Sequence, residues 1–199
     1  MGFDAIWISP IPLNFEGAYH GYAAIDFYKL NPNFGTQEDL TNMINAAHDA
    51  GLWVMLDVVA NHVGPVGTDF SQIVPFNSSS NYHPVCQIQN WNNLTEVQVC
   101  RLDNLPDLDQ DDSTTRQLLL DWVKGIVANN SFDGLRVDTV EEVKPEFWKE
   151  YISEYAGVHA VGEVFNGDLD FVSGYQDYLP GLLNYPLFFT LRNCFISGQ

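Results

Sequence analysis

Two acidic residues, each near the end of a predicted strand, are the side chains of this chain best suited to chemistry. Arg136 and Asp138 alternate with apolar residues, and alternation with a period of two is typical of a β-strand. Both side chains therefore lie on one side of that strand, where a guanidinium favours the charged form of a carboxylate. Glu163 lies near the end of a further apolar run, 158–164. Asp138 is thus a candidate nucleophile, and a structural ion pair is the alternative interpretation.

Polar residues also follow an earlier apolar run, 52–59, where Asn61 and His62 come next. The carboxyl ends of parallel strands share one face of an α/β barrel, and active sites are built on that face. Two carboxyl groups from different strands, about 5 Å apart, suit a glycosidase that retains the configuration at the anomeric carbon. One carboxylate attacks the sugar, and the other group, protonated, donates to the leaving oxygen.

Alternating strands and helices must position these residues. Strands are predicted for the runs 3–9, 52–59, 134–138 and 158–164, with the start of another at 181–185. Helices are predicted for 36–50, 113–129 and 145–157. The strand at 3–9 is expected to be buried, and Trp53, Trp122 and Trp148 are expected in the core. This alternation predicts an α/β fold with a parallel sheet, as in a barrel.

The segment after the second predicted strand differs in character. It is rich in Ser, Asn, Pro and Gly, shows no clear helix, and is too long for an ordinary loop, so it is predicted to be a small inserted subdomain. Cys86 and Cys100 lie in it and are predicted to form a disulfide. The resulting division is 1–62 and 107–199 for the barrel parts and 63–106 for the insert. Cys194 is expected to be a free, buried thiol.

The amino-acid composition excludes some classes of binding partner. The formal net charge is −18 and hydrophobic residues make up 46% of the chain, which predicts a globular protein that repels nucleic acid and anionic membrane surfaces. Neither nucleic acid nor a membrane is therefore a predicted partner. Three N-glycosylation sequons, beginning at Asn77, Asn93 and Asn129, agree with a secretory route.

Taken together, the motifs resemble the α-amylase family of glycoside hydrolases, and most closely its fungal members. The resemblance is carried, in the family's order, by Tyr19-His20-Gly21-Tyr22, Asp57-Val58-Val59-Ala60-Asn61-His62, Leu105-Pro106-Asp107-Leu108-Asp109, Gly134-Leu135-Arg136-Val137-Asp138-Thr139-Val140 and Gly162-Glu163-Val164. It implies a partial (β/α)8 TIM barrel covering barrel strands two to six, with an irregular subdomain inserted after the third barrel strand.

The resemblance also implies roles for single residues. Asp138 would be the nucleophile, Glu163 the general acid and base, and Arg136 the group that keeps Asp138 ionised. The implied sugar contacts are His20, Tyr22, His62, Arg136, Glu141 and Glu142. The implied calcium ligands are Asn61, Gln98, Asp107 and the backbone carbonyl of Glu142, and separated hard oxygen ligands suit that ion. Cys86 and Cys100 match a disulfide of the fungal enzymes.

The chain departs from the family pattern at several places. Glu141 and Glu142 occupy positions where fungal amylases carry Lys-His, and Gln98 occupies that of a calcium-binding acid. The family's fourth motif, which supplies a third catalytic acid, is absent, as are the first barrel strand, the final strands and the C-terminal β domain. The chain is therefore predicted to be a fragment, with an unpartnered Cys194.

These features predict an extracellular, calcium-dependent α-amylase that cleaves internal α-1,4 bonds of starch and malto-oligosaccharides with retention. One alternative is a transglycosylase or α-glucosidase of the same family. Another is a weakly active or inactive carbohydrate-binding fragment that lacks the third acid. The full-length enzyme is expected to be a monomer. A fragment with open sheet edges is expected to self-associate.

Overall fold

The computed structural model describes residues 2–197 of the chain. Its strands there are β1 (Ala5–Ile8), β2 (Pro12–Asn14), β3 (Ala24–Leu30), β4 (Trp53–Val58), β5 (Gly134–Val137), β6 (His159–Gly162) and β7 (Gly181–Leu182). Its α-helices there are α1 (Gln37–Asp49), α2 (Leu94–Val97), α3 (Ser113–Asn130), α4 (Pro145–Lys149), α5 (Leu169–Gly174) and α6 (Tyr185–Ser197).

Five of the strands form one parallel sheet in the order β1-β4-β5-β6-β7. Each strand lies beside the one that precedes it in this series, and helices connect most of them, so the predicted α/β fold is confirmed. The register pairs Asp57 of β4 with Arg136 of β5. Asn61, Asp138 and Glu163 each follow the carboxyl end of a strand. Because the strands are parallel, all three residues lie at the same end of the sheet.

The helices that cover this sheet begin where the sequence predicts them. Thr36 caps α1, and its side chain accepts a hydrogen bond from the backbone of Asp39, which completes a capping box. Asp112 caps α3 by accepting from the backbone of Thr114 and Thr115. Trp122 of α3 is buried and its indole nitrogen donates to the Phe27 carbonyl at 2.8 Å. The Trp122 contact joins α3 to strand β3, which pairs with β2 outside the five-stranded sheet.

The predicted helix at 145–157 is present but changes its winding. It runs as α4 to Lys149 and continues as a π-helix over Glu150–Ala156. Trp148 and Tyr151 are both fully buried on its inner face, and the indole nitrogen of Trp148 donates to the Val140 carbonyl at 2.9 Å. This segment thereby supports the loop that follows β5, where the candidate site lies.

Two parts of the structure lie outside the main sheet. Strands β2 and β3 form an antiparallel pair that the sequence patterns did not predict. Residues 63–106 contain only a 3₁₀ turn at Ser79–Asn81 and the short helix α2 as regular helical elements. The predicted disulfide between Cys86 and Cys100 is present in this segment. Isolated bridges join His62 to Asp107 and Tyr82 to Leu108, so the two ends of the segment meet at the sheet.

Three expectations about burial are wrong. Strand β1 is half-exposed rather than buried, because it is the end strand of the sheet and pairs only with β4 among the described residues. Trp53, the first residue of β4, is 67% exposed, whereas Trp122 and Trp148 are in the core as predicted. Cys194 is a free cysteine as expected but is exposed on α6. None of the helices in 2–197 has the length and apolar character needed to cross a membrane.

Candidate active site

The guanidinium of Arg136 joins three carboxylates that come from three adjacent strands. Its Nη1 donates to Asp138 Oδ1 at 2.5 Å and to Asp57 Oδ1 at 3.1 Å. Its Nη2 lies 2.7 Å from Glu163 Oε2. The side chain of Arg136 is 6% exposed, so these charge-assisted contacts are largely shielded from water. One cation is therefore shared by all three carboxyl groups and offsets part of their negative charge.

This arrangement limits how far apart the two candidate catalytic carboxylates can be. The two terminal nitrogens of a guanidinium are only about 2.3 Å apart, because the group is a rigid planar fork. Asp138 Oδ1 and Glu163 Oε2, each bound to one of them, are then at most about 7.5 Å apart, which is within the range over which two carboxyl groups act on one glycosidic bond. The pair can therefore serve one substrate.

The second carboxyl oxygen of Glu163, Oε1, also accepts a hydrogen bond. The hydroxyl of Tyr185 donates to Glu163 Oε1 at 3.0 Å, and the backbone nitrogen of Thr139 lies 3.4 Å from Oε2. Thr139 has a φ of 50°, a left-handed conformation that is uncommon for a residue with a branched side chain. This conformation is part of the turn that follows β5 and carries the Thr139 amide toward Glu163.

Asp57 contacts Arg136 and two further hydrogen-bond donors, so it supports this group of carboxylates. Its Oδ2 accepts from the hydroxyl of Tyr22 at 2.7 Å and from the indole nitrogen of Trp7 at 3.1 Å. Burial raises the pKa of Asp57 to about 6, against the opposing effect of Arg136. Burial and the neighbouring Asp57 also raise the pKa of Tyr22, so its hydroxyl remains a donor.

The histidines differ in position. His62 is 2% exposed, and its Nε2 lies 3.1 Å from the Tyr22 carbonyl. A carbonyl only accepts, so Nε2 carries the proton. Burial lowers the pKa of His62 to about 4, which keeps the ring neutral. His20 is exposed and stacks on the ring of Tyr22 with their centroids 5.8 Å apart.

A cleft of about 1050 Å³ opens over these groups. Of the predicted site residues, its walls include Tyr22, His62, Arg136, Asp138, Glu141, Glu142 and Glu163. Glu141 and Glu142 are 8% and 7% exposed, and burial raises the pKa of both. His20 does not line this cleft but borders it through Tyr22.

Several lining residues were missed by the sequence analysis. They are Trp91, Asn92, Leu94, Val97, Leu102, Leu105, Thr139, Phe165, Asn166, Asp168 and Phe171. Trp91 and Phe165 are both 56% exposed, so their rings are available to a ligand. Trp91 could have been identified from the sequence as an aromatic residue in an otherwise polar segment. Phe165 could have been identified because it follows the candidate catalytic residue Glu163 by two positions.

The predicted calcium ligands converge in part. One terminal atom of the Asn61 side-chain amide lies 3.2 Å from the Glu142 carbonyl oxygen and 3.0 Å from Asp107 Oδ1. The Asn61 amide nitrogen lies 3.3 Å from Nδ1 of His62, which accepts because Nε2 carries the proton. In that orientation the amide oxygen faces these two oxygens, and in the reverse orientation the amide nitrogen donates to both. With the amide oxygen turned inward, the three oxygens form a set that suits a hard cation such as calcium.

Gln98 is less well connected to this group. Its side chain is 9% exposed, and its amide nitrogen has no hydrogen-bond partner among the described residues. No group of three or more His, Cys, Asp or Glu side chains that could hold a metal occurs in residues 2–197. A cation here would thus depend on amide and backbone oxygens in addition to Asp107.

Comparisons with known proteins agree with this geometry. The family model for the α-amylase catalytic domain matches residues 1–179. An α-amylase of Saccharomycopsis fibuligera is 40% identical over 209 residues, which cover 98% of this chain and 42% of that protein. The chain therefore spans less than half the length of the curated relatives it matches.

Solved structures show the same relationship. An α-amylase of Malbranchea cinnamomea superposes with a TM-score of 0.92 at 42% identity, covering 98% of this chain and 44% of that one. An α-amylase of Geobacillus thermoleovorans, solved in complex with acarbose, gives a TM-score of 0.88 at 35% identity over 94% of this chain and 42% of that one. The parallel sheet described above is thus part of the α-amylase barrel, which confirms the predicted fold.

Proposed function

This chain belongs to the α-amylase catalytic-domain family of glycoside hydrolases, and from that membership we propose that it cleaves internal α-1,4-glucosidic bonds of starch and related glucans with retention at the anomeric carbon. The observation that carries the proposal is the binding of Asp138 and Glu163 to the two arms of the Arg136 guanidinium, at the floor of a large cleft.

In the proposed reaction Asp138 is the nucleophile. Its carboxylate attacks the anomeric carbon while the bond to the leaving oxygen breaks, which forms a glycosyl ester on Asp138. Arg136 balances the charge of Asp138 before attack and remains bound to Asp57 and Glu163. Because Arg136 is buried, this interaction acts in a low-dielectric site, where it is stronger than in water.

Glu163 supplies the proton for the leaving oxygen and then removes one from the water that hydrolyses the ester. Its two oxygens have different neighbours, Arg136 on one side and the Tyr185 hydroxyl on the other. These two contacts orient the carboxyl group toward the cleft. Tyr185 is therefore proposed as a positioning residue for Glu163.

Five further side chains are proposed to contact the sugar. Tyr22 would stack on it and His20 would donate a hydrogen bond near the cleavage point, while His62, whose one N–H faces the Tyr22 carbonyl, would contact the sugar by packing. Glu141 would contact the sugar on the leaving-group side, together with the carboxyl group of Glu142. The support for this assignment is that all but His20 line the cleft that holds Asp138.

Calcium is the proposed structural ion. Asn61, Asp107 and the Glu142 carbonyl would hold it, with Gln98 as a further candidate ligand. The ion would join the segment 63–106 to the end of strand β5. An extracellular location is proposed on two supports, the Cys86–Cys100 disulfide and the exposed sequon asparagines.

Trapping of the glycosyl ester tests the proposed chemistry most directly. A fluorinated α-glucosyl fluoride forms the ester but hydrolyses slowly, because the fluorine withdraws electrons from the anomeric centre. We expect mass spectrometry to find the label on Asp138 in the native chain and not in Asp138→Asn. Label on another residue, or none, would contradict the proposal.

Turnover provides a second test. Reducing-sugar release from soluble starch, with calcium present, should be lost in Glu163→Gln and retained in the matched control Glu154→Gln, whose side chain is exposed on the π-helix. The first product detected by NMR should be the α-anomer. Initial release of the β-anomer would show inversion.

A transglycosylase is the second candidate, and the acidic pair Glu141-Glu142 favours it. These carboxyl groups line the cleft in place of the basic pair of fungal amylases, so the binding of leaving groups and acceptors is altered. Incubation with maltotetraose separates the two candidates. Products longer than the substrate indicate transfer, and shorter products alone indicate hydrolysis.

A further inference from the structure

A second cavity, of about 490 Å³, lies between the β2–β3 hairpin and the helices α1 and α3. None of its lining residues lines the catalytic cleft. Its apolar side includes Phe27, Trp122 and Ile126, and its polar side includes Gln37 and Asn129. We call this cavity the hairpin groove. Its volume is in the range of pockets that hold small ligands, about 300–1,000 Å³.

The hairpin groove has one large exposed aromatic ring. Tyr28 is 58% exposed although it lies beside a buried core residue, Phe27. Burial on one side and the charge of Asp121 raise the pKa of Tyr28, so its hydroxyl remains a donor at neutral pH. Tyr28 therefore offers a flat apolar surface with a polar tip at the mouth of the groove.

The polar groups of the hairpin groove are mostly neutral, and the charged exceptions among its lining residues are Lys29 and Asp121. Gln37 donates to Asn130 Oδ1 at 2.7 Å, which holds the Gln37 amide in place with its carbonyl oxygen still able to accept. Lys29 is paired with Asp26 at 2.8 Å, so its charge is already balanced. Asn129 has an exposed side chain. Neutral amides and the carboxylate of Asp121 can all hydrogen-bond to hydroxyl groups, so the groove matches a neutral, hydroxyl-rich ligand better than an anion.

Gly125 leaves the groove open. It lies in the interior of α3, where glycine is less favourable than alanine. Its φ is not in the left-handed region, and a Cβ there would meet only the Asn129 amide nitrogen, at 3.9 Å. Neither backbone conformation nor helix packing therefore requires glycine. The space that a side chain at this position would fill is the hairpin groove itself.

We propose that the hairpin groove is a second saccharide-binding site, separate from the catalytic cleft, that takes a short segment of a neutral glucan. A pyranose ring has an apolar face of C–H groups and an edge of hydroxyls. The ring of Tyr28 and the apolar floor of the groove would contact the C–H face, and the amide of Gln37 would bind the hydroxyl edge. The choice of an α-glucan as the ligand rests on the proposed function.

The first experiment is an NMR titration with maltotriose of the ¹⁵N-labelled chain in a Glu163→Gln background, which prevents consumption of the ligand. Production in bacteria keeps Asn129 unmodified. The reporters are the Trp122 indole N–H for the groove and the Thr139 amide for the cleft. We expect both to shift with separate dissociation constants. A cleft signal that shifts while the Trp122 signal stays still would overturn the second site.

Gly125→Met then tests the location, because the new side chain fills the groove and methionine is a good helix former. We expect the affinity reported by Trp122 to fall at least about tenfold, a loss of about 1.4 kcal/mol, with the Thr139 response unchanged. The matched control is Gly174→Met, since a Cβ at Gly174 meets no atom within 4 Å and this residue lines neither cavity.

Tyr28→Ala is a second variant that keeps the test decisive if Gly125→Met does not fold, because the Tyr28 ring is exposed. Its Trp122 response should weaken by a similar factor. An unchanged Trp122 response in either folded variant would overturn the proposal. Loss of the Thr139 response in the parent chain would count against the proposed function of the cleft and not against the hairpin groove.

Discussion

Arg136 of β5 donates from Nη1 to Asp138 Oδ1 at 2.5 Å, a contact with the residue directly after the strand and two positions along the chain. Side chains at i and i+2 of a strand share a face, so the local backbone already brings the two together. Glu163 reaches the same guanidinium from the next strand. The stability of the sheet at the carboxyl ends of β5 and β6, and the arrangement of the candidate site, therefore depend on one buried cation, the Arg136 guanidinium.

Removal of that cation should be strongly destabilising. Arg136→Met leaves three carboxylates without their buried partner, and breaking a buried ion pair from one side costs about 3–5 kcal/mol. Chemical denaturation at neutral pH measures the change in the free energy of unfolding. The control is Lys144→Met, which breaks the exposed pair with Asp111 and should cost about 0–1 kcal/mol. Equal effects of the two substitutions would contradict the structural role of Arg136.

Tyr185→Phe should slow the proposed reaction without weakening substrate binding. The hydroxyl of Tyr185 donates to Glu163 Oε1, and without this contact the carboxyl group is less well oriented toward the leaving oxygen, which is expected to lower kcat about 10- to 100-fold. The initial rate of starch hydrolysis measures kcat and KM separately. Tyr155→Phe, outside the cleft, is the control. A raised KM with unchanged kcat would show that Tyr185 binds substrate instead of positioning Glu163.

Calcium should stabilise the fold through Asn61, Asp107 and the Glu142 carbonyl. A ligand that binds only the folded state adds about 2.7 kcal/mol at a free concentration of about 100 times its dissociation constant. Thermal unfolding of the metal-depleted chain, with and without added calcium, measures this. Asn61→Ala should abolish the dependence on calcium, whatever its effect on stability in the absence of metal. A calcium-dependent increase in Tm that persists in Asn61→Ala would place the ion elsewhere.

The disulfide should contribute substantially to stability. Cys86 and Cys100 are 14 residues apart in sequence, and closing a loop of about 15 residues stabilises by about 3 kcal/mol in the chain-entropy model. The double variant Cys86→Ser, Cys100→Ser should lose that amount in urea denaturation. Cys194→Ser, at an exposed free thiol, should change stability little. A loss well under 1 kcal/mol in the double variant would mean that the unfolded segment is already constrained.

The N-cap of α3 should give a pH-dependent contribution. Hydrogen bonds from the Thr115 backbone and hydroxyl, and from the Thr114 backbone, lower the pKa of Asp112 below its ordinary value of 3.8. The folded pKa is below the unfolded one, so the contribution is complete above about pH 4 and is lost as pH falls through the folded pKa. Asp112→Ala should cost about 1 kcal/mol at pH 7.

The difference in the free energy of unfolding between Asp112→Ala and the parent chain should become smaller at strongly acidic pH, because the Asp112 carboxyl group of the parent chain is then protonated. Asp112→Asn, which keeps a capping oxygen, is the control and should lose less stability at pH 7 than Asp112→Ala. Urea denaturation at a series of pH values measures all three chains. A difference that is independent of pH would show that the charge of Asp112 does not contribute to the cap.

Self-association remains a prediction. The apolar side chains Leu187, Phe188, Leu191, Phe195 and Ile196 on α6 are between 49% and 87% exposed, and β1 and β7 are the end strands of the sheet. Such surfaces favour association. Sedimentation velocity over a range of concentrations would measure it.

Local sequence was sufficient for the features that depend on neighbouring residues. The alternation around Arg136 determined which side of β5 Asp138 occupies. The Thr36 capping box determined where α1 begins, and the apolar spacing of α3 placed Trp122 in the core. Backbone periodicity and capping are set within one or two turns of chain, so a sequence pattern reports them directly.

Tertiary structure decided the features that depend on distant residues. Tyr185 meets Glu163 across 22 positions, and Asn61 meets Asp107 and Glu142 from separate segments, because strand register sets these distances. Trp53 has the same apolar character as Trp122, yet it is exposed since no element of the described chain covers the start of β4. The sequence by itself determined which side chains this protein can use. The packing of the sheet decided which of them share one cleft.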